Sequence, residues 1–380
     1  MEKTGKRRFS FFNTKTGSVD LTFLILLLLL LTIGLIMLFS ASFANAYYNR
    51  GNSYAFISSQ LVNGILGLVL MAIISTVDYR VLSKLSWPIF FATIPMLIAV
   101  YFFEPVNGAR RWIKLGAFQF QPSEIAKFAV VILFAHMICL NYDRMKTFRY
   151  GIVPFLSVLA VLAGLIVFET HLSGTILILS IGAILMIVGG TNLKWFGMAG
   201  LIAVAGIAII IMIPGVIEYA SSRIQHWIDP FSDPRGKGFQ TIQSLYAIGS
   251  GGLMGVGIGN SRQKYLYLPE PQNDFIFSIV CEELGFVGAT FILILFALLV
   301  WRGFVIGMRC KDRFGALVAV GLTSQVGLQT VLNIMVVTNT IPNTGIGLPF
   351  FSYGGTALIM LLCQMGVVLS ISRSANLEKQ

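Results

Sequence analysis

The chain has 380 residues, 56% hydrophobic and only 11% charged, at a mean hydropathy of +0.82. Soluble domains carry about 25% charged residues, so a soluble globular protein is excluded and the apolar side chains must face lipid. The formal net charge of +11 comes from Lys and Arg dispersed among loops, which excludes a nucleic-acid footprint and fits the positive-inside pattern of membrane proteins.

The basic start (Lys3, Lys6, Arg7, Arg8, Lys15) precedes an apolar run too long for the core of a signal peptide. Residues 1–18 are therefore expected to be a cytoplasmic tail, residues 19–371 a single transmembrane catalytic domain, and residues 372–380 a second cytoplasmic tail. The predicted fold is all-α and polytopic, with ten transmembrane helices near 19–44, 54–77, 86–103, 123–141, 151–168, 175–190, 195–213, 275–302, 315–338 and 355–371. The fifth and sixth are short, and their linker Glu169–Gly174 is expected to dip into the membrane. With both termini cytoplasmic, the inner segments hold 17 Lys and Arg and the outer segments 9, whereas the inverted topology reverses that bias. Eight of the nine outer cations sit in two loops, 104–122 and 214–273, which points to an anionic ligand or to anionic lipid headgroups at the outer face. The second loop, the large extracellular loop 214–274 before the eighth span, carries apolar anchors such as Trp227, Phe231 and Tyr246. Its segments 221–228 and 239–248 are predicted as short interfacial helices.

Four polar places inside or beside these spans need a reason, because an ionisable group at mid-membrane costs about 2.5–3.5 kcal/mol. Asp274 stands where the long loop meets the eighth span, and either serves as a general base or caps a helix. Glu124 and Lys127 are three residues apart behind Pro122, so they share a helix face. They are either structural glue or the lining of a polar cavity. Glu282 and Glu283 are adjacent and project about 100° apart, so they are not expected to face one neighbour; Glu282 is nearer the Asp274 face. The Gly-rich, uncharged segment 342–355 is expected to be a re-entrant turn forming a cavity wall. The glycines of 249–259 lack a Walker lysine and a preceding strand, so they form no nucleotide site. Cys139, Cys281, Cys310 and Cys363 have no disulfide or metal pattern, and His136, His171 and His226 lack metal-ligand spacing.

The stretches Gly108-Ala-Arg-Arg-Trp-Ile113, Gln121-Pro-Ser-Glu124 with Lys127, Gly238-Phe-Gln-Thr-Ile-Gln-Ser-Leu-Tyr-Ala247, Leu268-Pro-Glu270, Asp274-Phe-Ile-Phe277, Glu282-Glu-Leu-Gly285 and Leu348-Pro-Phe-Phe-Ser-Tyr-Gly-Gly355, in this order, resemble the SEDS family (shape, elongation, division and sporulation). That family includes RodA, FtsW and SpoVE, and the stretch 260–270 is more similar to the FtsW and SpoVE branch. The resemblance spans nearly the whole chain. It implies a peptidoglycan glycosyltransferase of the cytoplasmic (inner) membrane, serving cell division or sporulation. Such an enzyme polymerises lipid II on the outer face and releases undecaprenyl pyrophosphate. It also implies a class B penicillin-binding protein as partner, together with other division or elongation proteins. By position Asp274 matches the family's essential aspartate, and Glu124 and Lys127 match residues facing its central cavity. Two departures are visible: Gln272-Asn273 stands where the family often has His-Thr, and Glu169-Thr-His-Leu-Ser173 where it often has Gln-Pro-Asp-Leu-Gly. Neither His171 nor Glu169 is therefore given a catalytic role.

The expected site is Asp274 as catalytic base, with Arg111, Trp112, Glu124, Lys127, Arg262, Lys264 and Glu282 binding substrate. Arg111, Lys127, Arg262 and Lys264 are the candidates to offset pyrophosphate charge. No cofactor is assigned; a divalent cation can assist, without a dedicated metal site in the sequence. The alternative function is a flippase for lipid-linked precursor, which would place its charge at a midplane site reachable from both sides. A noncatalytic scaffold for division proteins would leave Asp274, Glu124 and Lys127 unexplained.

Overall fold

Long uncharged runs make helices here because a backbone in lipid must satisfy its own hydrogen bonds. A computed structural model describes residues 17–104, 110–115, 118–169, 172–197, 227–234, 236 and 238–375. The principal helices are α1 (Leu21–Arg50), α2 (Ala55–Thr76), α3 (Val81–Ala99), α4 (Pro122–Leu140), α5 (Val153–Phe168), α6 (Leu172–Val188), α7 (Phe239–Gly251), α8 (Ile276–Arg309), α9 (Arg313–Val337) and α10 (Thr356–Ser372). A two-stranded antiparallel hairpin, β1 (Ile113–Leu115) and β2 (Phe118–Phe120), precedes α4, with Ile113 opposite Phe120.

Among the described residues seven helices are long and apolar enough to cross a membrane, and Ser173–Val188 and Thr356–Ser372 are shorter apolar helices. Together they account for nine of the ten predicted spans. The remaining one, 195–213, lies largely outside the described residues, as do the tails 1–16 and 376–380 and most of the expected helix at 221–228. The interfacial helix predicted at 239–248 is α7. The third span starts at Val81, earlier than expected, so Lys84 belongs to its first turn. The eighth span continues to Arg309 because Arg302 is neutralised: its Nη2 lies 2.7 Å from Asp20 Oδ2. The linker after α5 is shorter than expected, since α6 already begins at Leu172.

Polar side chains start and stop these helices. Asp20 caps α1, accepting from Phe23 N at 2.9 Å, and Gly51 ends it at φ +66°. Pro122 occupies the first turn of α4, where a missing N–H costs nothing. Residues Val130 to Ala135 of α4 are all fully buried, so this helix is enclosed by protein on every side. It packs against α3, α6 and α9. By contrast α2 carries an exposed apolar stripe that includes Leu61, Val62, Ile65, Val69 and Ile73, while its other face packs against α10.

The two described ends of the chain meet. Gly17 N donates to Arg373 O at 3.0 Å, and Asp20 N donates to Ser372 Oγ at 3.1 Å. The start of α1 and the end of α10 therefore share one face of the bundle. Following the helices from there places the end of α1 and the starts of α2, α4, α8 and α10 at the opposite face.

Helix α8 is broken at Gly285, which adopts φ +67°, ψ −172°. The glycine-rich strap after α7 fills the break. Val256 N and Gly257 N donate to Glu282 O and Glu283 O, each at 3.0 Å. Phe286 N and Val287 N donate to Gly252 O and Leu253 O at 2.9 and 3.1 Å. A Cβ at Gly285 would fall 2.2 Å from Gly255 N, so the two backbones meet at a distance that excludes any side chain. Gly251 and Gly255 thus serve helix packing.

Candidate active site

At the face opposite the chain ends lies a cavity of about 1030 Å³. Its walls come from Arg111 and Trp112 before β1, Glu124 and Lys127 on α4, Asp274 before α8, and the segment Gly345–Gly355. The first halves of α2 and α10 complete it.

The segment between α9 and α10 reaches deep into the bundle, as the re-entrant expectation required. Phe351 is fully buried, and a Cβ at Gly34, midway along α1, would lie 2.5 Å from Phe350 O. Irregular backbone at such depth needs partners, and side chains of neighbouring helices supply them. Asn333 Nδ2 donates to Ile346 O at 2.6 Å, Gln329 Nε2 to Gly347 O at 2.9 Å, and Gln60 Nε2 to Ser352 O at 3.2 Å. Ser352 Oγ donates to Asn273 O at 2.6 Å, and Tyr353 N to Gln272 O at 2.8 Å. Asn333 Nδ2 also donates to Asp274 O at 2.7 Å. The wall and the loop carrying Asp274 are thereby one hydrogen-bonded unit.

Asp274 does not cap α8: the cap position is Phe275, and no side chain bonds there. Its carboxylate instead faces the cavity near Gly345 and Arg111. Burial raises Asp274 to about 6, the Arg111 charge opposes this, and Glu270 adds to it. Arg111 is itself lowered by burial and held up by Asp274 and Glu169. Across the cavity Lys127 Nζ lies 2.7 Å from Glu124 Oε1, with side-chain exposures of 4% and 14%. Both residues line the cavity, Glu124 the more exposed of the two.

The structure brings together Arg111, Trp112, Glu124, Lys127 and Asp274. It places three other expected residues elsewhere. Lys264 Nζ is buried against Glu283 Oε1 at 3.0 Å, Ser40 Oγ at 3.2 Å and Gly259 O at 2.5 Å. Glu282 is buried and accepts from Ser261 Oγ at 2.5 Å and Arg262 N at 3.0 Å. Arg262 is exposed and absent from the cavity lining. Arg262 and Lys264 follow the strap that closes the α8 break, and Glu282 stands on α8 just before that break, so neither the lysine nor the glutamate is available to a substrate. The expectation that adjacent glutamates cannot share a neighbour also fails. Ser261 meets both, its N–H donating to Glu283 Oε1 at 3.3 Å, because the strap wraps around the broken helix end.

Asn333, Gln329 and Gln60 went unread in the sequence, and Glu169 was given no catalytic role there. The signal for the first three was an amide within an apolar helix. Glu169 is 1% exposed at the end of α5, and burial raises it to about 8 against the pull of Arg111. Among the described residues no group of three His, Cys, Asp or Glu is arranged to hold a metal ion.

A helical membrane bundle whose polar cavity holds Asp274, Arg111 and the Glu124–Lys127 pair, at the face away from the described chain ends, has the architecture of a polytopic membrane protein. The chain belongs to the FtsW/RodA/SpoVE family, described as cell cycle proteins, which matches residues 20–377. Stage V sporulation protein E of Bacillus subtilis (strain 168) is 42% identical over 364 residues, covering 95% of this chain and 98% of that protein. A probable peptidoglycan glycosyltransferase FtsW of Geobacter sp. (strain M18) is 35% identical over 358 residues, with 93% and 96% covered. A chain from a peptidoglycan synthase complex, studied for the structural coordination of polymerization and crosslinking, aligns at TM-score 0.78 and 29% identity over 95% of this chain and 99% of that one. Rod shape determining protein RodA of Thermus thermophilus aligns at 0.69 and 26%, covering 95% and 98%.

Proposed function

We propose that this chain is a peptidoglycan glycosyltransferase that joins lipid II units into glycan strands at the outer face of the cytoplasmic membrane, in division or sporulation. The observation that carries the reading is the placement of Asp274 and Arg111 in one cavity at the face opposite the chain ends. In this mechanism the Asp274 carboxylate accepts the proton of the acceptor sugar's 4-hydroxyl. The freed oxygen attacks the donor's anomeric carbon, the bond from that carbon to the pyrophosphate oxygen breaks, and undecaprenyl pyrophosphate leaves with inversion from α to β. Arg111 and Lys127 offset the charge that grows on the pyrophosphate. No nucleotide is needed, since the pyrophosphate-linked donor is already activated.

A flippase would need its charge at a midplane site open to both faces, and the gathering of acid and cations at one face favours chemistry there. The proposed partner is a class B penicillin-binding protein supplying the crosslinking transpeptidase, in line with the synthase complex that the fold resembles. Purified protein, with and without that partner, incubated with lipid II and scored for glycan polymer on a gel, tests the proposal. Polymer is the expected result, and its absence in both preparations would overturn it.

A further inference from the structure

Arg50 is a cavity cation that the mechanism above does not use. It ends α1 and belongs to neither of the two cation-rich loops, yet it lines the same cavity as Arg111 and Lys127. Of these three described cations, Lys127 is paired with Glu124, and Arg111 stands beside Asp274. Arg50 is exposed, and among the described residues no carboxylate forms a salt bridge with it. Its partner is a ring. The Arg50 guanidinium carbon lies 4.1 Å from the centroid of Phe56, a cation–π contact that holds a long side chain in one place. Phe56 is buried and meets the edge of Tyr353, with 5.0 Å between centroids and 82° between planes. Tyr353 N in turn donates to Gln272 O in the Asp274 loop. Arg50, Phe56 and Tyr353 thus form one stack joined to that loop, and all three line the cavity. Tyr47, Tyr48 and Tyr54 are exposed in the neighbouring turns, an aromatic belt that sets Arg50 at the depth of lipid headgroups.

We propose that Arg50, seated on Phe56, binds the pyrophosphate of the acceptor substrate and is thereby a second anion subsite of the cavity. The inference rests on the function proposed above. Joining two lipid-linked units brings two pyrophosphates to one site. The donor's is the leaving group, whose charge grows in the transition state, and Arg111 and Lys127 offset it. The acceptor's stays bonded to its sugar throughout, at the far end of a disaccharide from the 4-hydroxyl that Asp274 deprotonates. It therefore needs a cation set apart from Asp274, at headgroup depth and not tied to a carboxylate. Arg50 meets each condition, with Phe56 and Tyr353 standing between it and the Asp274 loop. A guanidinium can present paired N–H donors to phosphate oxygens while its face stays on the ring. The acceptor pyrophosphate carries the same charge in the ground and transition states. Arg50 therefore contributes equally to both, and its loss weakens binding without slowing the chemical step.

The test measures initial rates of polymerisation against lipid II concentration for the wild type, Arg50→Met, Arg50→Lys and Phe56→Leu, each with the proposed partner present. The proteins are reconstituted in liposomes of phosphatidylcholine alone and of phosphatidylcholine with phosphatidylglycerol. Arg50→Met is expected to raise KM at least about tenfold in both liposomes, as for a lost charge-assisted hydrogen bond, with kcat within about twofold of wild type. Thermal unfolding should not move, because the side chain is exposed. Arg50→Lys keeps the charge and should hold KM within about threefold of wild type. Phe56→Leu removes the ring under the guanidinium and should raise KM about threefold. An unchanged KM in Arg50→Met overturns the proposal. A fall in kcat at constant KM puts Arg50 at the leaving group and overturns the acceptor assignment. A KM effect confined to the phosphatidylglycerol liposomes assigns Arg50 to ordinary anionic headgroups and overturns it as well. Each of these results leaves the polymerase function standing. Absence of wild-type polymer in both liposomes overturns the function itself, and this inference with it.

Discussion

Asp274 and Gly345 face each other at van der Waals distance: a Cβ on Gly345 would sit 3.3 Å from Asp274 Oδ2, at a backbone φ of +74°. The same Cβ would lie 3.7 Å from Arg111 Nη1. Gly345→Ala therefore strains the wall and crowds Asp274, while it only touches Arg111. Lipid II polymerisation should fall on the order of ten- to hundredfold, as for a misplaced reacting group, with thermal stability reduced little. Full activity would show that the wall has room the structure does not reveal.

Asp274→Asn keeps the size and polarity of the side chain and removes the base. Activity should drop at least about a hundredfold, while a normal elution profile and partner binding report intact folding. In the wild type the raised pKa has a definite sign. An acid near 6 is mostly protonated at pH 5, so the rate there should be about one tenth of its plateau. An aspartate at its ordinary value of about 3.9 would still be ionised at pH 5. A flat profile between pH 5 and 7 would remove Asp274 as the base.

Glu124→Ala and Lys127→Ala each strand one charge of a largely enclosed pair, a loss of about 3–5 kcal/mol where burial is complete. Both single variants should impair polymerisation. The double variant separates two roles: continued inactivity in a folded protein assigns the pair to substrate, and restored activity assigns it to structure.

Lys264 and Glu283, with side-chain exposures of 3% and 0%, are enclosed more fully. Lys264→Met should lower stability by about 3–5 kcal/mol, read as thermal unfolding in detergent, and adding Glu283→Leu should recover part of it. The KM for lipid II should stay unchanged in whatever protein remains folded. A stable Lys264→Met with a raised KM would return Lys264 to the substrate site.

Sidedness decides whether Asp274 meets flipped precursor. Ser232 is exposed at the outer end of the expected topology, and Lys311 is exposed between α8 and α9 at the inner end. With the native cysteines replaced, a cysteine at Ser232 should react with a membrane-impermeant thiol reagent in intact spheroplasts. One at Lys311 should react only after permeabilisation. The reverse pattern would put Asp274 in the cytoplasm and end the proposed mechanism.

Hydropathy and charge are written residue by residue, so the sequence by itself determined the helical membrane class, the approximate spans and their expected orientation. It also marked Asp274, Arg111, Glu124 and Lys127, because an ionisable group near lipid is conspicuous wherever it occurs. The tertiary structure decided which of the marked charges share a cavity. Lys264 and Arg262 had the same apparent claim as Arg111, yet Lys264 Nζ bonds Ser40 Oγ, 224 residues away in the chain. The break at Gly285, the glycine strap that satisfies it and the double donation from Asn333 depend likewise on backbones brought together from distant elements. Local periodicity carries no trace of such pairings. A buried charge declares that it needs a partner, but only the packing of α1, the strap and α8 settles that Lys264 finds Glu283 and Ser40, leaving Arg111 at the cavity wall beside Asp274.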